Sequence, residues 1–125
     1  MTKIDQKRKH DRIGSLHLLN YVCLDENNEE VNQGMGRTLN VSQGGILLET
    51  HVVLDKNHVI SLSIGLEEDL VDIHGTVIYG REGEKGKIES GIEFQNIDEA
   101  SLQVLDRYII AFRKMQKEEE EDNDM

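Results

Sequence analysis

Between residues 59 and 95 the side chains alternate between apolar and polar, and that rhythm constrains the fold more than any other feature of the chain. In residues 59–64, Ile60, Leu62 and Ile64 alternate with Ser61 and Ser63. In residues 71–79, Val71, Ile73, Val77 and Tyr79 are apolar and Asp72, His74 and Thr76 fall between them. In residues 88–95, Ile88, Ile92 and Phe94 share one face, while Glu89, Glu93 and Gln95 share the other. Successive side chains of a strand point to opposite faces, so this period of two predicts half-buried antiparallel strands. Residues 16–24, 35–41 and 46–50 are strand-like with looser alternation. The gaps at 25–28, 43–45, 65–69 and 82–86 are short and rich in Gly, Asn and acidic residues, which is turn chemistry. Six short strands at this spacing predict a small closed barrel or a sandwich.

The C-terminal end changes period. Leu102, Leu105, Ile109 and Phe112 recur at spacings of three, four and three, which places them on one helical face. Asp98 is placed to cap the helix, with Glu99 in its first turn and Arg113, Lys114 and Lys117 near its end. The acidic run that follows has nothing apolar to bury. The expected organisation is a flexible basic arm at 1–12, a barrel with its helix at 13–117 and an acidic disordered tail at 118–125. A chain of 125 residues fits one domain that can bury a core without staples. Aromatics are only 4% of it, so Leu, Ile and Val must build that core.

Charge is unevenly distributed. Residues 1–12 carry +3, residues 13–117 carry −8 and residues 118–125 carry −6, for a net of −11. An acidic body argues against broad binding of nucleic acid or of an anionic membrane, yet leaves room for one compact anion site at the basic arm. Cys23 is the only cysteine, so no internal disulfide or cysteine-rich zinc site is expected, and a buried apolar role in a reducing compartment fits it. No secretory leader is recognisable, and no apolar run approaches the ~18 residues of a membrane span. A cytoplasmic location is expected.

Catalytic and phosphate-loop patterns fail on inspection. Gly34-Met35-Gly36 begins a dinucleotide fingerprint, but Leu39 stands at the third glycine position. Gly86-Lys87 resembles the end of a P-loop, but Arg81 and Ile88 occupy positions that require Gly and Ser or Thr. His10, His17, His51, His58 and His74 have no ligand spacing, and no serine lies in a nucleophile elbow. The expectation is a binding protein, not an enzyme, with no metal and no cofactor.

Two short motifs remain. Arg8-Lys9-His10-Asp11-Arg12 holds two arginines four apart. Asn40-Val41-Ser42-Gln43-Gly44-Gly45 follows at a strand-to-strand turn. Arg forks bind a phosphate in bidentate fashion or the O6/N7 edge of guanine, and they keep their charge. Asn40 and Ser42 offer short polar groups that bond a base edge or cap their own backbone, and Gly44 and Gly45 permit unusual backbone angles and close approach to a ligand.

In order, these motifs resemble the two-part signature of the PilZ domain family, Arg-x-x-x-Arg followed by Asp/Asn-x-Ser-x-x-Gly. Gly75-Thr76-Val77 resembles the family's mid-barrel strand and Gly91-Ile92-Glu93-Phe94 its late strand. The resemblance extends over roughly residues 8 to 113 and implies a six-stranded antiparallel β-barrel with a C-terminal α-helix. It also implies that the ligand is cyclic di-GMP, a bacterial second messenger, held by Arg8, Arg12, Asn40, Ser42, Gly44 and Gly45, with Lys7, Lys9 and His10 as additional contacts. With no catalytic unit in sight, the output is expected to pass to a downstream protein partner as the arm orders over the barrel. Two other readings are a PilZ-like adaptor that does not bind the nucleotide and a nucleic-acid-binding barrel. Retention of both motifs counts against the first, and the acidic body counts against the second.

Overall fold

The computed structural model describes residues 17–123. Six strands form β1 (Leu18–Leu24), β2 (Glu30–Val41), β3 (Gly45–Thr50), β4 (Val59–Leu66), β5 (Asp69–Glu82) and β6 (Ile88–Phe94). A 3₁₀ turn at Glu84–Gly86 joins β5 to β6, and helix α1 (Glu99–Asn123) follows. The strands close into a barrel in the order β1-β2-β3-β6-β5-β4, and every neighbouring pair is antiparallel. The fold is the six-stranded barrel with a C-terminal helix that the resemblance implies, one of the two architectures, barrel or sandwich, that the alternation allows.

Closure gives the sheet one inside, and the alternating apolar residues fill it. Leu19, Tyr21 and Cys23 of β1, Ile46 and Leu48 of β3, and Ile60, Leu62 and Ile64 of β4 are all buried there. Ile73 and Val77 of β5 and Ile92 of β6 complete the wall of the core. Each such side chain is worth roughly 1.5–3 kcal/mol when fully withdrawn from water.

The motif turn, the β4–β5 turn and the start of β1 all lie at one end of the barrel, as the antiparallel registers require. Helix α1 closes that end. Its Leu105, Tyr108, Ile109, Phe112 and Met115 join the barrel core. The rings of Tyr108 and Phe112 stack with centroids 6.2 Å apart, and His17 meets Phe112 edge-on at 5.3 Å. The Tyr108 hydroxyl lies 3.1 Å from Thr38 Oγ1 inside the core. Burial pushes the Tyr108 phenol above its ordinary pKa, and the Thr38 bond opposes that only in part. Asp98 caps the helix as expected, its Oδ1 accepting the Ser101 N–H at 2.7 Å.

The structure departs from the sequence reading at three places. Strand β2 begins at Glu30, not at residue 35, because pairing with β1 carries its polar first residues into the sheet up to Leu24↔Glu30. On β5 a bulge between Val77 and Tyr79 slips the alternation, so Val77 points inward while Tyr79, expected in the core, lies 43% exposed on the outer face. Helix α1 runs through the acidic stretch to Asn123, where a disordered tail from residue 118 was expected. Glutamates are good helix formers, Met115 is still buried in the core, and Glu119 Oε1 lies 3.0 Å from His17 Nε2, so the last turns have both propensity and anchors.

Phe112→Ala removes a fully buried ring from the helix–barrel junction and is expected to cost about 3–5 kcal/mol, measurable by urea unfolding. A second expectation concerns Asp98, whose carboxyl is held below its ordinary pKa by the hydrogen bonds from Ser101. A lowered folded-state pKa contributes stability above the unfolded value near ~3.9, and that stability is lost as pH falls through the lower folded value. Asp98→Asn keeps a good cap without the titrating group. Thermal melts between about pH 5 and 3 should therefore fall more steeply for the wild type than for the variant; parallel acid limbs would contradict the assignment.

Candidate functional site

Outward-facing residues of four adjacent strands line up across the barrel wall. Asn40 of β2 pairs with Leu47 of β3, Leu47 with Gly91 of β6, and Gly91 with Tyr79 of β5. Gly91 has no side chain, and the Tyr79 ring occupies the space where its Cβ would stand. The ring folded over this bare backbone forms one border of a hollow in the row. The result is a cleft of about 280 Å³ bordered by Asn40, Ser42, Gly44 and Gly45 on one side and by Ile78, Tyr79 and Glu93 on the other.

The turn between β2 and β3 is tied down at several points. The Ser42 N–H donates to the Gly45 carbonyl at 2.9 Å, and the Phe94 N–H donates to the Gly44 carbonyl at 2.9 Å. Asn40 Oδ1 accepts the Val41 N–H at 2.9 Å, which leaves its amide N–H groups available. Ser42 Oγ accepts the Gly44 N–H at 3.3 Å, leaving its own hydroxyl proton to donate. Outside the cleft, Gln43 Nε2 donates to Asp106 Oδ1 of α1 at 2.7 Å, so the turn is coupled to the helix that closes the barrel.

The unusual backbone angles expected at the two glycines of the turn are not adopted. Neither has positive φ; among the described residues only Gly86 does so as a glycine. Gly45 is needed for close packing, because a Cβ there would strike the Ile92 carbonyl of β6. A Cβ on Gly44 would meet only Ser42 Oγ, at 4.0 Å. Gly44 thus keeps the mouth of the cleft open, and Gly45 lets β3 approach β6.

The structure therefore brings Asn40, Ser42, Gly44 and Gly45 together. Arg8 and Arg12, with Lys7, Lys9 and His10, lie outside the described residues, as does the expected arm that carries them. No basic side chain is among the described residues that line the cleft, and Glu93 is the one acid there. The basic residues on neighbouring strands are paired: Arg81 with Glu89 at 2.8 Å, Arg37 with Glu49 at 3.9 Å and Lys87 with Glu49 at 3.6 Å. An anion entering the cleft would need positive charge from elsewhere.

Sequence reasoning missed Tyr79, Ile78 and Glu93 as cleft residues. The signal was present in Val77-Ile78-Tyr79, three consecutive apolar residues that a strict two-residue period does not accommodate. A larger hollow of about 680 Å³ lies at the far end of β3, between Val53–Lys56 and the ends of β5 and β6, and none of the motif residues borders it. Among the described residues there is no cluster of three or more metal-ligating side chains and no helix long and apolar enough to cross a membrane.

Comparison with known proteins agrees with this fold. The family model for the PilZ domain matches residues 6–111. Two solved structures share the fold. One is K. pneumonia MrkH in its apo state, with a TM-score of 0.57 and 14% identity over 82% of this chain. The chain spans 50% of that protein. The other is the PilZ domain of YcgR from Escherichia coli with c-di-GMP, with a TM-score of 0.55 and 15% identity over 82% of this chain and 88% of that one. No curated protein matches the chain.

The contrast between the two glycines is measurable. Gly45→Ala should lose about 1–3 kcal/mol through its collision with the β6 backbone. Gly44→Ala should stay within about 0.5 kcal/mol of wild type. Equal melting temperatures for the two variants would refute the packing role of Gly45.

Proposed function

The chain belongs to the PilZ domain family, and on that premise we propose that it is a cytoplasmic receptor for cyclic di-GMP that binds its ligand without transforming it. The observation that carries this reading is the convergence of Asn40, Ser42, Gly44 and Gly45 on one cleft, at the position where the motif turn meets β6. The free donors of Asn40 and Ser42 suit the acceptor edge of a guanine or a phosphate oxygen.

The missing positive charge is assigned to Arg8 and Arg12. Strand β1 enters the barrel at the same end as the motif turn, as its pairing Leu18↔Arg37 requires. Arg12 is six residues before Leu18 and Arg8 ten, so a fully extended chain could carry them about 20 Å and 33 Å from it. Both are within reach of the cleft mouth. Two guanidinium forks would offset the two phosphodiester charges of the ligand, and each would also restrain the arm. Lys7, Lys9 and His10 would add charge around them.

On this reading the receptor passes its state to a protein partner when the arm closes over the ligand. The Gln43–Asp106 bond supports such an output, since it links the turn directly to α1. Calorimetric titration with cyclic di-GMP, with GTP and linear pGpG as controls, tests the proposal. Saturable binding of the cyclic dinucleotide alone is expected. Arg8→Ala and Arg12→Ala should each remove most of it, because each deletes a charge-assisted contact. Ser42→Ala should lose only about 0.5–1.5 kcal/mol. No binding by well-folded wild type would leave the adaptor role as the better account.

A further inference from the structure

We propose that Tyr79 and Glu93 form a guanine-reading subsite in the cleft, with the Tyr79 ring as a stacking surface and the Glu93 carboxylate as the acceptor for the base's N1–H and 2-amino groups. The inference rests on the cyclic di-GMP reading above and assigns which part of the ligand faces β6.

Glu93 differs from the other outward acids around it. Glu49 is paired with Arg37 and Lys87, and Glu89 with Arg81. Glu93 is exposed and has no hydrogen-bond or ion-pair partner among the described residues. Its neighbours across the sheet are Gly45 and Thr76, neither of which carries charge. An unpaired carboxylate at the edge of an anion-binding cleft repels phosphate, so it cannot face that end of a cyclic dinucleotide. It suits a donor-rich surface, because an ionised carboxylate only accepts. The Watson–Crick edge of guanine presents two adjacent donors, N1–H and the 2-amino group. Adenine presents an acceptor at N1, which a carboxylate rejects.

Tyr79 supplies the second element. Its ring lies against the bare backbone of Gly91, two residues along β6 from Glu93 on the same outer face. The β5 bulge is what places it there. A flat ring beside an acceptor offers a base both of its recognition surfaces, the face and the edge. The cleft volume of about 280 Å³ is below the ~300–1,000 Å³ that encloses a drug-sized ligand, which fits a subsite for one base of a larger molecule.

The test is calorimetric titration of the full chain with cyclic di-GMP and, in parallel, cyclic di-AMP. Wild type should bind the guanine compound selectively. Glu93→Gln is nearly isosteric but turns an amide N–H₂ toward one of the guanine donors. It should weaken cyclic di-GMP roughly tenfold and narrow the preference over cyclic di-AMP. Tyr79→Phe should retain affinity, and Tyr79→Leu, which keeps apolar cover over Gly91 without a ring, should lose about fivefold or more. Wild-type affinity and selectivity in Glu93→Gln would overturn the subsite and leave the receptor reading standing. Failure of the wild type to bind cyclic di-GMP at all would overturn that reading and the subsite with it.

Discussion

Closure of the sheet is the constraint on which everything else in this protein depends. A closed barrel has no edge and only one interior, so each strand must present its apolar residues inward in step with two neighbours. Tyr21 illustrates the demand, since it faces Gly34 across one ladder and Leu62 across the other. A one-residue slip in any strand would turn its whole apolar set to water. With so few aromatic residues in the chain, the strands supply mainly Leu, Ile and Val. The end beside the motif turn is filled from outside by Tyr108 and Phe112 of the helix.

The same rule that fills the interior frees the exterior. Because Ile92 must point inward, Gly91 and Glu93 must point outward. Because Leu48 is buried, Leu47 faces the cleft side. The candidate site is therefore a row of outward positions on a wall held rigid by its own core. Two irregularities interrupt it, a register shift in β2 between Thr38 and Asn40 and the β5 bulge, which adds a residue and so brings Tyr79 out over Gly91. Bulges re-aim side chains at little cost when they interrupt a single ladder step, and here the re-aimed side chain borders the cleft.

Much of this was legible in the sequence, for physical reasons. Ile60, Leu62 and Ile64 alternate cleanly because β4 has one wet and one dry face, and Asp98 was readable because capping is a local interaction. The turn residues Asn40, Ser42, Gly44 and Gly45 were readable because turn chemistry is confined to a few adjacent positions. What was not legible depends on partners distant in sequence. Glu30 is in a strand only because Leu24 lies opposite it. Tyr79 is outside only because the ladder to β6 slips, and a period of two read from one strand alone cannot register that. The acidic residues after Lys117 stay helical with an anchor 102 positions away, at His17. Gly45 was singled out for its backbone freedom, yet the structure uses it for its missing Cβ, and only the β6 carbonyl beside it reveals the difference.

Charge gives the final link between fold and function. A barrel whose cleft holds one unpaired acid and no described base is, by itself, a poor receptor for a dianion. The chain's positive excess is instead concentrated in residues 1–12, ahead of an acidic body. On the proposed reading the site is divided, and it would be complete only when the basic segment and the cleft share a ligand. Each half alone lacks either the charge or the shape that affinity requires. If charge and shape were both built into the wall, binding would change nothing beyond occupancy. On the proposed reading, with the charge on a separate segment, a dianionic ligand would hold the two together, and occupancy would become a change in the protein's surface that a partner could recognise.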